Sequence, residues 1–189
     1  SDTVWFCQEV TNDGNAGGGW NADIGYNLDP GKVYRFMVPI LIPNPETGGS
    51  FYLGTQGVCN INTTTNNGNP YFIAHGRSNL IANRWYLLIG YIFPYGSTGN
   101  TNDGAGVWDT TTGAKVLTGY NWCHSSGGAY YHRAYQYYTG NNAKTLFGRP
   151  MINLVDGSEP SLKEYFADSA MLNSSLDRKS TRLNSSHTD

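Results

Sequence analysis

Charged side chains are scarce in this sequence. Lys, Arg, Asp and Glu make up 14% of the 189 residues, and the formal net charge is -2. An average soluble protein has roughly 25% charged residues, and coiled coils and helical bundles need abundant Ala, Leu, Glu and Lys. The composition therefore excludes both helical classes. Because no basic stripe is present, we also expect no nucleic-acid partner.

Long hydrophobic runs and cysteines are also few. The longest apolar run, Trp85–Phe93, is too short to cross a bilayer, so we expect no membrane span. The three cysteines, Cys7, Cys59 and Cys123, lie far apart and form no CxxC pair. One disulfide with one free thiol is compatible with this spacing, and the sequence leaves the pairing open.

Aromatic, amide and glycine residues are abundant instead. Aromatics make up 14% of the chain, with 14 Tyr, and there are 24 Gly and 20 Asn. Disordered chains are poor in aromatics, so a folded domain is expected. The polarity of this domain comes from amides and hydroxyls rather than from charge.

Short apolar stretches separated by Gly, Asn and Asp turns predict an all-β fold. Lys32–Ile42 alternates apolar residues on one face, and Pro39 predicts an edge strand or a bulge there. Arg84–Phe93 is apolar on both faces, which is typical of a covered central strand. The remaining predicted strands are Thr3–Val10, Ser50–Gln56, Tyr71–Ala74, Gly106–Asp109, Ala114–Leu117, Ala129–Tyr138 and Thr145–Val155, with a long loop at residues 12–19.

Eight or nine strands without intervening helices predict an antiparallel β-sandwich or barrel, and we favour a β-sandwich of jelly-roll type. The only helix signal is a capping box at 161–164, which predicts a short C-terminal helix over residues 161–172. We therefore divide the chain into a sandwich domain (1–157), a short helical extension (158–176) and a non-native or disordered tail (177–189). This tail has no aromatics and resembles a translated adapter sequence.

Four segments carry a family resemblance: Asn83–Tyr91, Gly106–Gly113, Tyr131–Tyr138 and Asp156–Ser161. In this order they resemble a concanavalin-A-like β-sandwich module of the kind found in bacteriophage tail fibres and carbohydrate-binding proteins. The resemblance covers roughly residues 84–162. It implies a jelly-roll domain, extracellular or on a virion surface, that binds glycans or builds a virion appendage.

The composition independently suits carbohydrate recognition. A sugar ring has apolar C–H faces and a rim of hydroxyls, which match aromatic rings and planar hydrogen-bond donors. On a strand, alternate residues of 130–138 share one face. The predicted ligand-binding residues are Trp122, Tyr131, Arg133, Tyr135 and Tyr137. The alternative is that these rings form core and cross-strand pairs, with the stem of Arg133 packed beside them.

Cofactor and metal signals are limited to structural calcium. Asp13, Asn15, Asn102 and Asp103 supply side-chain oxygens on tight loops, as hard cations prefer. None of them has EF-hand spacing, and Asn-Asp-Gly runs also form ordinary turns. No other cofactor is indicated.

Catalytic signals are few as well. A retaining glycosidase needs two carboxylates about 5 Å apart, and no strand carries such a pair. A polysaccharide lyase can use Tyr, His and Arg, but Tyr131 and His132 would point to opposite faces of one strand. We therefore expect a non-catalytic module that binds a glycan or polysaccharide. The alternatives are a structural subunit of a virion appendage or extracellular filament, forming a homo-oligomer, and a jelly-roll polysaccharide lyase.

Overall fold

A computed structural model describes residues 8–11, 17–26, 28–99, 104–127, 129–140 and 142–166. Within these residues thirteen strands form two sheets, and the helical content is two short 3₁₀ helices and one turn of α-helix at 162–166. None of the described helices is long and apolar enough to cross a bilayer. The strands are β1 Gln8–Thr11, β2 Gly17–Tyr26, β3 Tyr34–Leu41, β4 Ser50–Gly54, β5 Val58–Asn60, β6 Tyr71–Gly76, β7 Trp85–Phe93, β8 Gly106–Asp109, β9 Lys115–Thr118, β10 Asn121–His124, β11 Tyr130–Tyr137, β12 Lys144–Phe147 and β13 Met151–Leu154.

The two sheets form a sandwich. The larger sheet has the order β1-β12-β3-β7-β10-β5, with β13 also on β3 and the β8–β9 hairpin on β7. The smaller sheet has the order β2-β11-β4-β6. The predicted all-β sandwich with a short C-terminal helix is confirmed, and every ladder is antiparallel except that between β7 and β10, which is parallel.

The main core lies between the two sheets. Phe36, Val38 and Ile40 project from β3 and are fully buried in one cluster with Phe51 and Phe72 of the smaller sheet. This alternation is the one predicted for Lys32–Ile42. Gly90 of β7 faces the same layer, and a Cβ atom there would overlap the ring of Phe72.

Pro39 does not mark a sheet edge, so the edge-strand alternative was wrong. The irregularity at Pro39 lies in its partner strands, where residues 148–150 stand opposite two residues of β3. β3 pairs with β7 on one side and with both β12 and β13 on the other. The carbonyl of Pro39 accepts a hydrogen bond from the Gly148 amide at 2.8 Å, in the interval between β12 and β13. Because the N and O of a strand residue point to the same side, the missing N–H falls where the partner strand is interrupted. A proline is therefore tolerated in a central strand.

The outer face of the larger sheet is covered by the end of the described chain. Every residue of β7 is buried, as expected for a strand covered on both sides. Leu87, Ile89 and Tyr91 form a second apolar cluster on this outer face. The residues packed over it include Met151, Val155, Leu162, Tyr165 and Phe166.

The C-terminal helical turn begins with the predicted capping box. The Ser161 amide donates to Glu164 Oε2 at 2.6 Å, and the Glu164 amide donates to Ser161 Oγ at 3.4 Å. The predicted extent to residue 172 reaches outside the described residues, as does the tail from 177 to 189. The domain boundary at residue 157 stays a prediction.

The strand assignments differ from the predicted ones in two respects. Three strands were missed, namely β5, β10 and β2, the last of which falls partly on the predicted loop at residues 12–19. Thr145–Val155 is two strands rather than one, because Gly148, Arg149 and Pro150 separate β12 from β13.

Cys59 and Cys123, opposite each other on β5 and β10, form a disulfide with a Cα–Cα distance of 5.1 Å. Cys7 lies outside the described residues.

Candidate functional site

The side chains of β11 alternate between the core and the outer surface of the smaller sheet. Tyr130, His132, Ala134 and Gln136 are buried. The intervening four residues are half-buried on the outward side. These are the predicted ligand-binding residues Tyr131, Arg133, Tyr135 and Tyr137.

Two further tyrosines join Tyr135 from the neighbouring strands. Tyr52 lies directly opposite Tyr135 in the β4–β11 ladder, and their rings stack with centroids 5.1 Å apart and planes 27° apart. Tyr71 of β6 lies 4.9 Å from the Tyr52 ring and 5.9 Å from the Tyr135 ring. The Tyr135 hydroxyl donates a hydrogen bond to that of Tyr71. We call the outward group of Tyr52, Tyr71, Tyr131, Arg133, Tyr135, Tyr137 and Tyr138 the tyrosine face.

A β-bulge and Gly54 make room for the Tyr71 ring. The register between β4 and β6 shifts at Leu53/Gly54, and two consecutive β6 residues, Phe72 and Ile73, are both buried. Tyr71 is thereby left on the outward side, and its ring packs on Gly54, where a Cβ atom would lie 2.8 Å from Tyr71 Cδ1. A residue larger than glycine at position 54 would displace the ring.

Tyr138 closes one end of the tyrosine face in an unusual conformation. Its φ is +55°, in the left-handed region, and the residue is 71% exposed. Its ring meets that of Tyr137 edge-on, with centroids 4.3 Å apart. Left-handed backbone costs an ordinary L-residue roughly 1–2 kcal/mol, so an exposed aromatic ring is held here against a local conformational preference.

Arg133 is the cation of the tyrosine face. Its Nε donates to the Thr55 carbonyl at 2.8 Å, and its Nη2 donates to the same oxygen. The guanidinium carbon lies 5.6 Å from the centroid of the Tyr71 ring, within cation–π range. These contacts hold the guanidinium in one orientation beside the rings.

The polar groups of the tyrosine face are neutral apart from Arg133. β4, β6 and β11 contain no Asp or Glu, and Arg133 is their only Arg or Lys on the outward side. Burial, followed by the hydrogen bond to Tyr71, raises the pKa of Tyr135, so its phenol stays protonated at neutral pH. The strands therefore present hydroxyls and one guanidinium next to aromatic rings.

His132 belongs to the core. Its Nε2 lies 2.9 Å from the Met37 carbonyl, and its ring stacks on Trp20 and Phe36. Burial lowers the pKa of His132 to about 4. Tyr131 lies on the opposite face of β11, so the sheet separates its phenol from the His132 imidazole, as expected for neighbouring residues of one strand.

Trp122 does not lie on the tyrosine face, contrary to its grouping with residues 130–138. It belongs to β10 in the larger sheet, paired with β5 and β7, and it packs against the main core. Its indole Nε1 is buried and has no hydrogen-bond partner among the described residues. Because Trp122 lies in the larger sheet and packs against the main core, it is not available to a ligand on the smaller sheet.

The four calcium candidates, Asp13, Asn15, Asn102 and Asp103, lie outside the described residues. Within the part of the chain that is described, no group of three or more His, Cys, Asp or Glu side chains could hold a metal ion.

His124 has a structural role: its Nδ1 is 2.7 Å from the Tyr130 hydroxyl, and its Nε2 is 2.9 Å from the Lys32 carbonyl.

Tyr52, Tyr71 and Tyr138 are the residues of the tyrosine face that sequence reasoning missed. Tyr52 alternates with the buried Phe51 and Leu53, which is a local signal that it faces outward. Nothing local indicates that it pairs with Tyr135, because this register joins strands about eighty residues apart.

Comparisons with known proteins identify no relative. No family model matches the chain, and no curated protein or solved structure is significantly similar to it. The resemblance to concanavalin-A-like modules therefore stays a prediction from four short motifs. Functional inference depends on the geometry of the tyrosine face.

Proposed function

We propose that this chain is a glycan-binding β-sandwich module and that its binding surface is the tyrosine face. Apolar faces of sugar rings pack on aromatic rings, and sugar hydroxyls pair with phenol and guanidinium groups. One observation carries the proposal: five tyrosine rings touch in series on one outward surface beside Arg133. The series runs Tyr71, Tyr52, Tyr135, Tyr137, Tyr138.

The conformation of Tyr138 supports a binding role. Gly or Asn adopts φ near +55° more readily than Tyr. An exposed ring adds little to the core, so folding stability does not explain its presence. Strained residues concentrate at binding sites, where the strain serves pre-organisation.

The proposal includes no reaction. General acid–base catalysis needs a titratable group whose pKa lies near the working pH. β4, β6 and β11 supply no carboxylate to the tyrosine face, and the one acidic residue in the strands of the smaller sheet is Asp23 of β2. His132 points into the core, and the pKa of Tyr135 is raised. Binding is therefore favoured over the lyase alternative.

We place the domain outside the cell or on a virion surface, as an attachment domain of a fibre or an extracellular protein. The Cys59–Cys123 disulfide supports this location, since disulfides persist in oxidising environments and are rare in the cytosol. The resemblance to tail-fibre modules favours the same location.

A glycan array with three variants of the full chain tests the proposal. Tyr137→Ser and Tyr138→Gly remove rings from the tyrosine face, and Tyr95→Ser removes a tyrosine that is 53% exposed after β7. We expect the first two to weaken binding about tenfold, equivalent to ~1.4 kcal/mol, with the cooperative melt retained, and Tyr95→Ser to bind as the wild type.

Two outcomes would overturn the proposal. Equal binding by all three variants would move the site away from the tyrosine face. Absence of any bound glycan, with a stable oligomer in sedimentation, would instead favour a structural subunit, because aromatic residues are also enriched at protein interfaces.

A further inference from the structure

Arg133 keeps part of its hydrogen-bonding capacity unused. A guanidinium has five N–H donors in a planar fork. Its Nε edge is occupied, because Nε and Nη2 both donate to the Thr55 carbonyl. Among the described residues, Nη1 donates to nothing, so the Nη1/Nη2 end of the fork remains available.

The charge of Arg133 also lacks a counterion in the described structure. The one ion pair found there joins Arg84 to Asp109 at 2.9 Å. β4, β6 and β11 carry no Asp or Glu, whereas β2, which pairs Asn21 with Arg133, carries Asp23. The partner of Arg133 at Thr55 is a neutral carbonyl. A half-buried cation gains more from an anionic partner than a fully hydrated one does, because the local dielectric is lower.

We propose that the glycan bound at the tyrosine face is carboxylated, and that its carboxylate pairs with the free end of the Arg133 guanidinium. This inference rests on the proposed function and specifies its ligand class. The series of tyrosine rings packs against the apolar faces of the sugar rings, and the guanidinium of Arg133 gives the preference for an acidic sugar.

The chemistry favours a carboxylate over a neutral hydroxyl. A planar carboxylate accepts two parallel N–H bonds from one guanidinium edge, a geometry that a single hydroxyl cannot match. The ring of Tyr71, 5.6 Å from the guanidinium carbon, and the Thr55 carbonyl hold that edge in place before binding. A pre-oriented donor loses less conformational entropy on binding.

Matched glycan pairs test the inference with the full chain. The array carries polygalacturonate with its methyl ester, sialyllactose with lactose, and a sulfated galactan without carboxylates. We expect binding to one or more carboxylated members and at least tenfold weaker binding to the neutral partner. Arg133→Gln should reduce that preference ten- to a hundredfold, and Arg133→Lys should restore only part of it because lysine lacks the fork.

Arg149→Gln, which removes an exposed arginine between β12 and β13, is the matched control and should keep the full preference. Equal binding to both members of each pair, stronger binding to the sulfated galactan, or an unchanged preference in Arg133→Gln would overturn the carboxylate assignment while leaving glycan binding intact. Failure to bind any glycan would overturn the proposed function and this inference with it.

Discussion

Acid should destabilise this domain through His132. The ring lies in the core with Nε2 facing the Met37 carbonyl, which can only accept, so the neutral ring carries its proton on Nε2. A second proton would have to sit on Nδ1, which is buried and has no partner among the described residues. Desolvation therefore lowers the pKa of His132 to about 4.

The sign and size of the effect follow from linkage. The unfolded chain takes up a proton below the ordinary histidine pKa of about 6.5, whereas the folded chain does so only near pH 4. The free energy of unfolding should thus fall as the pH drops from 6.5 to 4 and then level off. A difference of about 2.5 pKa units corresponds to a total of ~3 kcal/mol, of which ~2 kcal/mol is lost by pH 5.

Urea unfolding measured from pH 7.5 to 4 tests this expectation. His132→Phe keeps an aromatic ring between Trp20 and Phe36 but cannot titrate. The free energy of unfolding of this variant should therefore fall less steeply with decreasing pH than that of the wild type. The pKa of His124 is also lowered by burial, and its contribution to the pH dependence should remain in the variant. His75→Gln changes a histidine outside the core as the control. An equally steep pH dependence in wild type and His132→Phe would refute the reasoning.

Two further predictions concern packing and cross-linking. Gly90→Ala should destabilise the domain by about 2–3 kcal/mol, because its Cβ would overlap the Phe72 ring, whereas Gly68→Ala, with nothing within 4 Å, should change little in thermal melts. Equal melting of both glycine variants would contradict this packing. Removing the Cys59–Cys123 disulfide, which spans 64 residues, should lower stability by about 2–4 kcal/mol in urea titrations with and without reductant. Coincident titrations would show that the cross-link does not contribute.

Strands with clear apolar periodicity could be predicted from the sequence. In β3 and β7 the positions of the large apolar residues indicate which faces of the strand are buried. The buried faces predicted for these two strands were confirmed. β2 was missed because Gly17, Gly18 and Gly19 have no side chains to show alternation. Pairing with β11 stabilises this stretch through backbone hydrogen bonds, which no residue type encodes.

Interactions between distant strands limited the prediction of the site. The outward side of β11 follows from its local pattern, but the contact of Tyr135 with Tyr52 and Tyr71 depends on register across three strands. Trp122 was misplaced for the same reason, since sequence proximity to β11 does not put β10 in the same sheet. The edge-strand prediction at Pro39 failed for a similar reason. The interruption between β12 and β13 leaves no partner that needs the missing N–H of Pro39, and the sequence of β3 does not show this interruption.

The most direct test of the central claim is to map where a bound glycan perturbs the backbone amides by NMR. We predict that the largest shifts fall on β4, β6 and β11, at Tyr52, Tyr71, Arg133, Tyr135 and Tyr137. Shifts confined to the larger sheet, with the tyrosine face unchanged at saturating glycan, would contradict the account.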